Sequence, residues 1–323
     1  MTMDDYLLQT VDLTKSFPIR KGFFGQHKFR LVAVDQVNFF VRPGETVGLV
    51  GESGCGKTTL ALTVSRMYEP TSGSIYFDGR DFTSVGGQDL RKIRRQMQII
   101  FQDPLASLDP RMSVREIIRE PLDIFNEGPL NARNEEVTRL LQVTGMPVDS
   151  AERFPTEFSG GQQQRIGIAR ALALRPRLLI CDEPVSSLDV SVQAQILNLL
   201  RDLQDRFELT YLFISHNIAV TAFMSRRIGV MYLGKLVEMG PSKEIVDQPL
   251  HPYTQVLNKA VPEPEPERKR LKKTVLGDVP SPIERPPGCP FHPRCSFAQD
   301  RCRVEVPLYR EVSPDHWVAC HFA

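Results

Sequence analysis

The sequence predicts an α/β protein with a mostly parallel sheet, and three observations carry that prediction. Short apolar runs at Val47–Val50, Gln98–Phe101, residues 177–184 and Tyr211–Ile214 have strand length and alternate with longer stretches of helical spacing. The first run leads directly into GESGCGKTT (51–59), which fits G-x-x-x-x-G-K-[ST], and Leu60, Leu62 and Val64 continue it at helix-compatible spacing. The later runs end in Gln102, in Asp182 with Glu183, and in Ser215-His216, where a parallel sheet presents its reactive groups.

The 323 residues are 41% hydrophobic and 24% charged, enough for one large domain and a smaller one. Forty basic residues face 39 acidic ones, so the net charge of +1 gives no electrostatic reason to expect a nucleic-acid partner. No apolar run reaches the roughly 18 residues of a membrane-spanning helix. Asp4 and Asp5 stand where a secretory leader would carry basic residues, so a cytosolic location is expected. Six cysteines in a reducing compartment do not read as a disulfide framework.

In chain order, residues 6–17 and 31–50 read as strands, and the Pro-, Gly- and Arg/Lys-containing stretch 18–30 as an exposed loop. Phe17 is either a purine-stacking aromatic or a packed strand residue. After the P-loop helix come a short strand at Ser74–Phe77 and a basic helix at 88–96. Helical segments follow at 114–118, 135–143 and 165–174, as an insertion between strands. A helix at 192–203 and strands at 228–232 and 235–239 complete the pattern. Beyond about residue 246 prolines accumulate, and EPEPERKRLKK (263–273) reads as a solvated linker.

The chemistry of the motifs is specific. P-loop glycines let backbone N–H groups face phosphate oxygens, and the following helix adds its dipole. Lys57 would reach the β- and γ-phosphates and Thr58 would take a Mg²⁺ position. Asp182 would hold Mg²⁺ and Glu183 would orient and deprotonate the attacking water. Gln102 would serve the metal or the water, and His216 the γ-phosphate. FSGGQQQR (158–165) is a second Ser- and Gly-rich helix start, again suited to an anion.

In this order the set resembles the ATP-binding subunits of ABC transporters. GESGCGKT is the Walker A motif, Gln102 the Q-loop, FSGGQ the signature, LLICDE the Walker B motif, SSLD (186–189) the D-loop and His216 the switch histidine. Phe158 stands where the signature usually has Leu, and Asn217 where Asp is frequent. The resemblance spans residues 6 to about 245. It implies an ABC-type nucleotide-binding domain with a mostly parallel sheet, an antiparallel β-subdomain and a helical subdomain at about 103–170. A Cys-rich extension, 246–323, would follow. It further implies ATP bound by Gly51, Glu52, Ser53, Gly54, Cys55, Gly56, Lys57, Thr58 and Thr59, with Phe17 against adenine. Mg²⁺ would lie at Thr58, Gln102 and Asp182. Two such domains pair head-to-tail, so Ser159, Gly160, Gly161, Gln162 and Asp189 would serve the nucleotide of the partner domain.

Cys289, Cys295, Cys302 and Cys320 are spaced C-x5-C-x6-C-x17-C. The spacing alone admits zinc, an iron–sulfur cluster or no metal, since it lacks the C-x2-4-C knuckles of structural zinc. With His251-Pro252-Tyr253-Thr254 before it, this tail resembles the extension of oligopeptide and dipeptide permease ATPases. That likeness implies a 4Fe-4S cluster with a structural role. The whole resembles the second ATPase of a peptide importer, on the strength of the N-terminal stretch, GESGCGKTT and FQDPLASLDPRMSV. It implies a heterodimer with a sister ATPase, two permease subunits, and indirectly an extracytoplasmic solute-binding protein. The location implied is peripheral, on the cytoplasmic face of the inner membrane. An importer for a nickel chelate, glutathione or a glycoside is the alternative within the subfamily. A soluble ABC ATPase acting on nucleic acid or ribosomes is the alternative outside it, and the single domain and balanced charge count against that.

Overall fold

The computed structural model describes residues 5–21, 27–260 and 280–323. The chain forms two compact units, one of residues 1–40, 46–83 and 215–323, the other of 41–45 and 84–214.

The first unit opens with β1 (Leu8–Lys21) and β2 (His27–Val41). Both run further than their side chains suggest. The stretch 18–30, expected as a loop, is strand as far as Lys21 and again from His27, and 22–26 lie outside the described residues. Pairing between the two strands satisfies the backbone groups whatever the side-chain polarity, so a polar composition did not betray the strands. After a turn at Gly44 the chain enters β3 (Thr46–Val50), buried throughout, and then α1 (Lys57–Val64). β4 (Ser72–Phe77) and β5 (Arg80–Asp81) complete an antiparallel sheet of order β2-β1-β4-β5. This is the expected antiparallel β-subdomain.

The second unit holds α2 (Gly87–Gln96) and β6 (Met97–Ile100), followed by α3 (Val114–Ile124), α4 (Leu130–Val143) and α5 (Gly160–Leu172). Ser113 starts α3 with a capping box, its N–H donating to Glu116 Oε2 at 2.7 Å while its hydroxyl accepts from the Glu116 N–H at 3.3 Å. Ile117, Ile118, Val137, Leu140, Leu141, Ile166 and Ile168 are buried, the apolar faces on which a helical insertion depends. β7 (Leu178–Asp182), α6 (Val190–Phe207) and β8 (Thr210–Ser215) follow. β6, β7 and β8 are parallel, with Ile100 beside Cys181 and Cys181 beside Phe213. Both faces of such a sheet are covered, which is why β7 and β8 are continuous apolar runs rather than alternating ones.

The chain then returns to the first unit through α7 (Ile218–Met224), β9 (Arg227–Tyr232), β10 (Lys235–Pro241), α8 (Ser242–Asp247) and α9 (Pro252–Lys259). β9 lies parallel to β3 and β10 antiparallel to β9. Past residue 280, α10 (Asp300–Val304) precedes the hairpin β11 (Arg310–Ser313) and β12 (His316–Val318). β12 pairs with β10, Glu238 opposite Val318 and Met239 opposite Trp317. These two strands are short and carry no alternating pattern. Their position comes from the edge of β10 and from the edge-to-face contact of Trp317 with Phe40, centroids 6.0 Å apart.

Candidate nucleotide site

The P-loop lies between β3 and α1. Two of its glycines are required by close backbone approach. At Gly56, where φ is +107°, a Cβ would sit 2.1 Å from the Ala33 carbonyl oxygen; at Gly51 it would sit 2.3 Å from that of Met231. The β9–β10 turn also braces the loop, the Gly234 N–H donating to the Cys55 carbonyl at 2.8 Å. Lys57 is buried, and its Nζ donates to the carbonyls of Gly51 at 2.7 Å and Glu52 at 3.2 Å. Ser53, Gly54 and Thr58 are exposed and Glu52, Gly56 and Thr59 half-buried. Cys55 is 5% exposed, and burial raises its thiol pKa against the lowering effect of Lys57. A protonated, enclosed thiol suits a small packing residue and not a nucleophile.

Phe17 is half-buried on β1. Its ring meets Tyr68 edge-on at 5.4 Å, with Lys15 Nζ 4.9 Å from its centroid. His216 is exposed just past β8. Asn217 caps α7, its Oδ1 accepting the Ala219 and Val220 N–H groups at 2.9 and 3.3 Å. A carboxylate would accept the same two bonds, so Asn at this place keeps the cap that Asp would make.

In the second unit, Asp182 is 4% exposed at the end of β7. Glu183 follows it with φ +47°, a left-handed conformation that costs a non-glycine residue about 1 kcal/mol or more. Its N–H donates to Ile214 O at 2.9 Å, and its carbonyl accepts the Ser186 hydroxyl at 3.1 Å. Strain held by such bonds is usual where a side chain must be aimed. Gln102 and Asp189 are exposed. Ser159, at the start of α5, donates its N–H to Gln162 Oε1 at 3.0 Å and its hydroxyl to the same atom at 3.3 Å. Ser159, Gly160 and Gln162 are exposed, whereas Gly161 is buried with a Cβ position only 2.4 Å from Val192 Cγ1. Phe158 is 7% exposed with the Arg153 guanidinium 4.5 Å over its ring, so the aromatic fills an interior position.

The structure also brings forward two residues that the motifs do not contain. The Tyr253 hydroxyl accepts the Glu52 N–H at 2.9 Å, and Arg294 grips the Glu52 carboxylate with two bonds of 2.8 Å. Tyr253 belongs to the HPYT stretch noticed in the sequence. Arg294 lies more than two hundred residues from Glu52 in the chain, and no local pattern marks it.

All four distal cysteines line one cavity of about 310 Å³, together with Phe291, His292 and His321. All are free thiols. Burial, with the adjacent thiols adding to it, pushes Cys289 up to about 11. Among the described residues no three Cys, His, Asp or Glu side chains are gathered tightly enough for a single metal ion. The four thiols share one cavity and are the donor type that both zinc and an iron–sulfur cluster take. No helix among the described residues is long and apolar enough to cross a membrane.

A P-loop ahead of a helix, a strand-end Asp-Glu pair and a second glycine-rich helix start define a nucleoside-triphosphate-hydrolysing cassette. The ABC transporter family profile matches residues 34–186, and that of the oligopeptide/dipeptide transporter C-terminal region matches 237–302. The chain is 49% identical over 318 residues to the oligopeptide transport ATP-binding protein AppF of Bacillus subtilis, covering 98% of this chain and 97% of that one. It is also 49% identical to a probable peptide ABC transporter ATP-binding protein of Sinorhizobium fredii, over 99% of this chain and 90% of the relative. A solved dimeric ATP-binding cassette in a post-hydrolysis state with ADP and Pi is 28% identical, with a TM-score of 0.65 over 73% of this chain and 98% of that one. The chain belongs to the ATP-binding subunits of ABC transporters, in the oligopeptide/dipeptide transporter group.

Proposed function

We propose that this chain is the ATP-hydrolysing subunit of a peptide importer, driving uptake through separate membrane subunits. The observation that carries the peptide assignment is the match beyond the ATPase core, through the C-terminal region at 237–302. The core alone is common to ABC transporters of every cargo. Its residues supply the chemistry as follows. The P-loop N–H groups and Lys57 bind the phosphates. Thr58, Gln102 and Asp182 offer the oxygen donors that Mg²⁺ prefers. Glu183 takes the proton of the attacking water, and exposed His216 contacts the γ-phosphate. Phe17 stacks on adenine. Ser159, Gly160, Gly161, Gln162 and Asp189 complete the nucleotide site of a second ATPase, so loss of the γ-phosphate opens the pair.

The ATPase domain is residues 1–245 and the extension 246–323. The pairing partner is a sister ATPase and the complex includes two permease chains, with a solute-binding protein on the far side. The subunit lies on the cytoplasmic face of the membrane. Cys289, Cys295, Cys302 and Cys320, which line one cavity, would hold a 4Fe-4S cluster through their thiolates. Such a group supplies a structural cross-link to an extension rich in proline.

The test is transport. Vesicles carrying the assembled complex should accumulate a labelled oligopeptide only with ATP. Uptake of a nickel chelate, glutathione or a glycoside in place of peptide would overturn the cargo assignment while leaving the ATPase standing.

A further inference from the structure

We propose that Arg294 and Tyr253 are positioning residues for the phosphate-binding loop, and that the four-cysteine cavity sets ATP affinity through Arg294. The inference rests on the P-loop being the ATP site, and it assigns the C-terminal extension a part in nucleotide binding.

Glu52 is the second residue of the P-loop. Its N–H is taken by the Tyr253 hydroxyl and both of its carboxylate oxygens by the Arg294 fork. A bidentate pair fixes orientation as well as distance. The Glu52 carbonyl in turn accepts from Lys57 Nζ. One residue therefore links the extension to the lysine that meets the phosphates.

The clamp is built on a rigid base. Tyr253 is fully buried and Arg294 8% exposed. Tyr232, Tyr253 and Phe291 pack mutually, with centroids 4.7, 5.3 and 5.4 Å apart. The Arg294 guanidinium lies 5.8 Å from the rings of both Tyr232 and Phe291. The same buried cluster contains Val50, which leads into the P-loop, and Cys289 and Cys302.

Arg294 is also seated in the cysteine framework. It precedes Cys295, and its turn is tied by the Cys289 N–H to Cys302 O at 2.8 Å, His292 N–H to Cys289 O at 3.0 Å and Cys295 N–H to His292 O at 3.3 Å. Whatever orders these cysteines orders the turn that carries the guanidinium. Loosening the turn frees Glu52 and, with it, the start of the loop.

The experiment uses the full-length subunit in its transporter, with a fluorescent ATP analogue titrated to give Kd, steady-state KM and kcat, and nucleotide-free thermal melting. Arg294→Gln should raise Kd and KM about fivefold or more with kcat within about twofold, as loss of a charge-assisted bidentate contact predicts. Arg294→Lys should recover part of the affinity. Adding Glu52→Gln to Arg294→Gln should cost nothing more, because the two act as one unit. Tyr253→Phe removes only the hydroxyl and decides the matter should the arginine variants fail to fold; it should raise Kd about twofold to threefold. Cys295→Ser should raise Kd in the wild-type background and not in Arg294→Gln. A lowered melting temperature with Kd and KM unchanged in Arg294→Gln or Tyr253→Phe would reduce the clamp to a structural staple. An unchanged Kd in Cys295→Ser would sever the cavity from the loop.

Discussion

The ammonium of Lys57 donates to the carbonyl of Gly51, 2.7 Å away, so the loop's last cation is fastened to its first residue. The bond to Glu52 O at 3.2 Å adds a second anchor. Lys57 is 5% exposed. Replacement by Ala should remove the phosphate contact and these anchors together. ATP affinity should fall at least about tenfold, some 1.4 kcal/mol. Nucleotide titration checks this, and binding within twofold of wild type would remove Lys57 from the phosphates.

Glu183 combines a left-handed backbone with a place directly after the buried Asp182. Glu183→Gln keeps shape and hydrogen-bonding length but cannot take a proton. Turnover should drop about 10²–10⁴-fold while ATP binding stays intact. Single-turnover kinetics alongside binding separates the two, and undiminished hydrolysis would end the general-base assignment.

His316 bridges two carboxylates, Nε2 to Glu238 and Nδ1 to Glu244, each at 2.9 Å. The bond to Glu238 raises its pKa above the ordinary 6.5 against the opposing effect of burial, with Glu244 adding to the rise. A raised histidine stabilises the fold fully below its unfolded pKa and loses that contribution as pH climbs through the folded one. Glu238 moves the other way. Burial works to raise it, yet the bonds it accepts, led by His316, leave it lowered, and its contribution is lost as pH falls through that value. The β10–β12 junction should therefore be most stable between the two and weaken as pH rises through the raised His316 value. His316→Gln should cost on the order of 2 kcal/mol at mildly acidic pH and flatten the dependence on the alkaline side. Melting curves across pH test it, and parallel profiles for variant and wild type would contradict it.

The thiol of Cys289, pushed up to about 11, must lose its proton to ligate, so loading the four-cysteine cavity should release protons and weaken at low pH. Protein purified without oxygen should be brown and contain iron with sulfide. Cys302→Ser should strip the colour and lower the melting temperature. Colourless wild-type protein with stoichiometric zinc would replace the cluster with a single ion.

Local chemistry made the ATPase half of this protein readable. A P-loop needs its glycines and Lys57 at fixed offsets, because backbone N–H groups and one ammonium must meet the same phosphates. Asp182 and Glu183 had to close an apolar run because a parallel sheet exposes only its strand ends. For the same reason β6, β7 and β8 could be placed within two residues, whereas α3 runs on to Ile124 and α4 begins at Leu130, beyond the expected 114–118 and 135–143. β1 and β2 run longer than side-chain polarity predicts, since strand pairing decides where a hairpin ends. β11 and β12 were invisible, because strands of four and three residues owe their form to an existing edge and to Trp317 against Phe40.

By itself, then, the sequence marked the ATP-binding cassette and the residues proposed to meet its nucleotide, as these depend on contiguous motifs. Only the tertiary structure decided what holds those groups in place. Arg294 reaches Glu52, and His316 reaches Glu238, across separations that no periodicity encodes. Such pairs form once a shared core has fixed their backbones, and their bonds depend on burial that arises only in the folded chain.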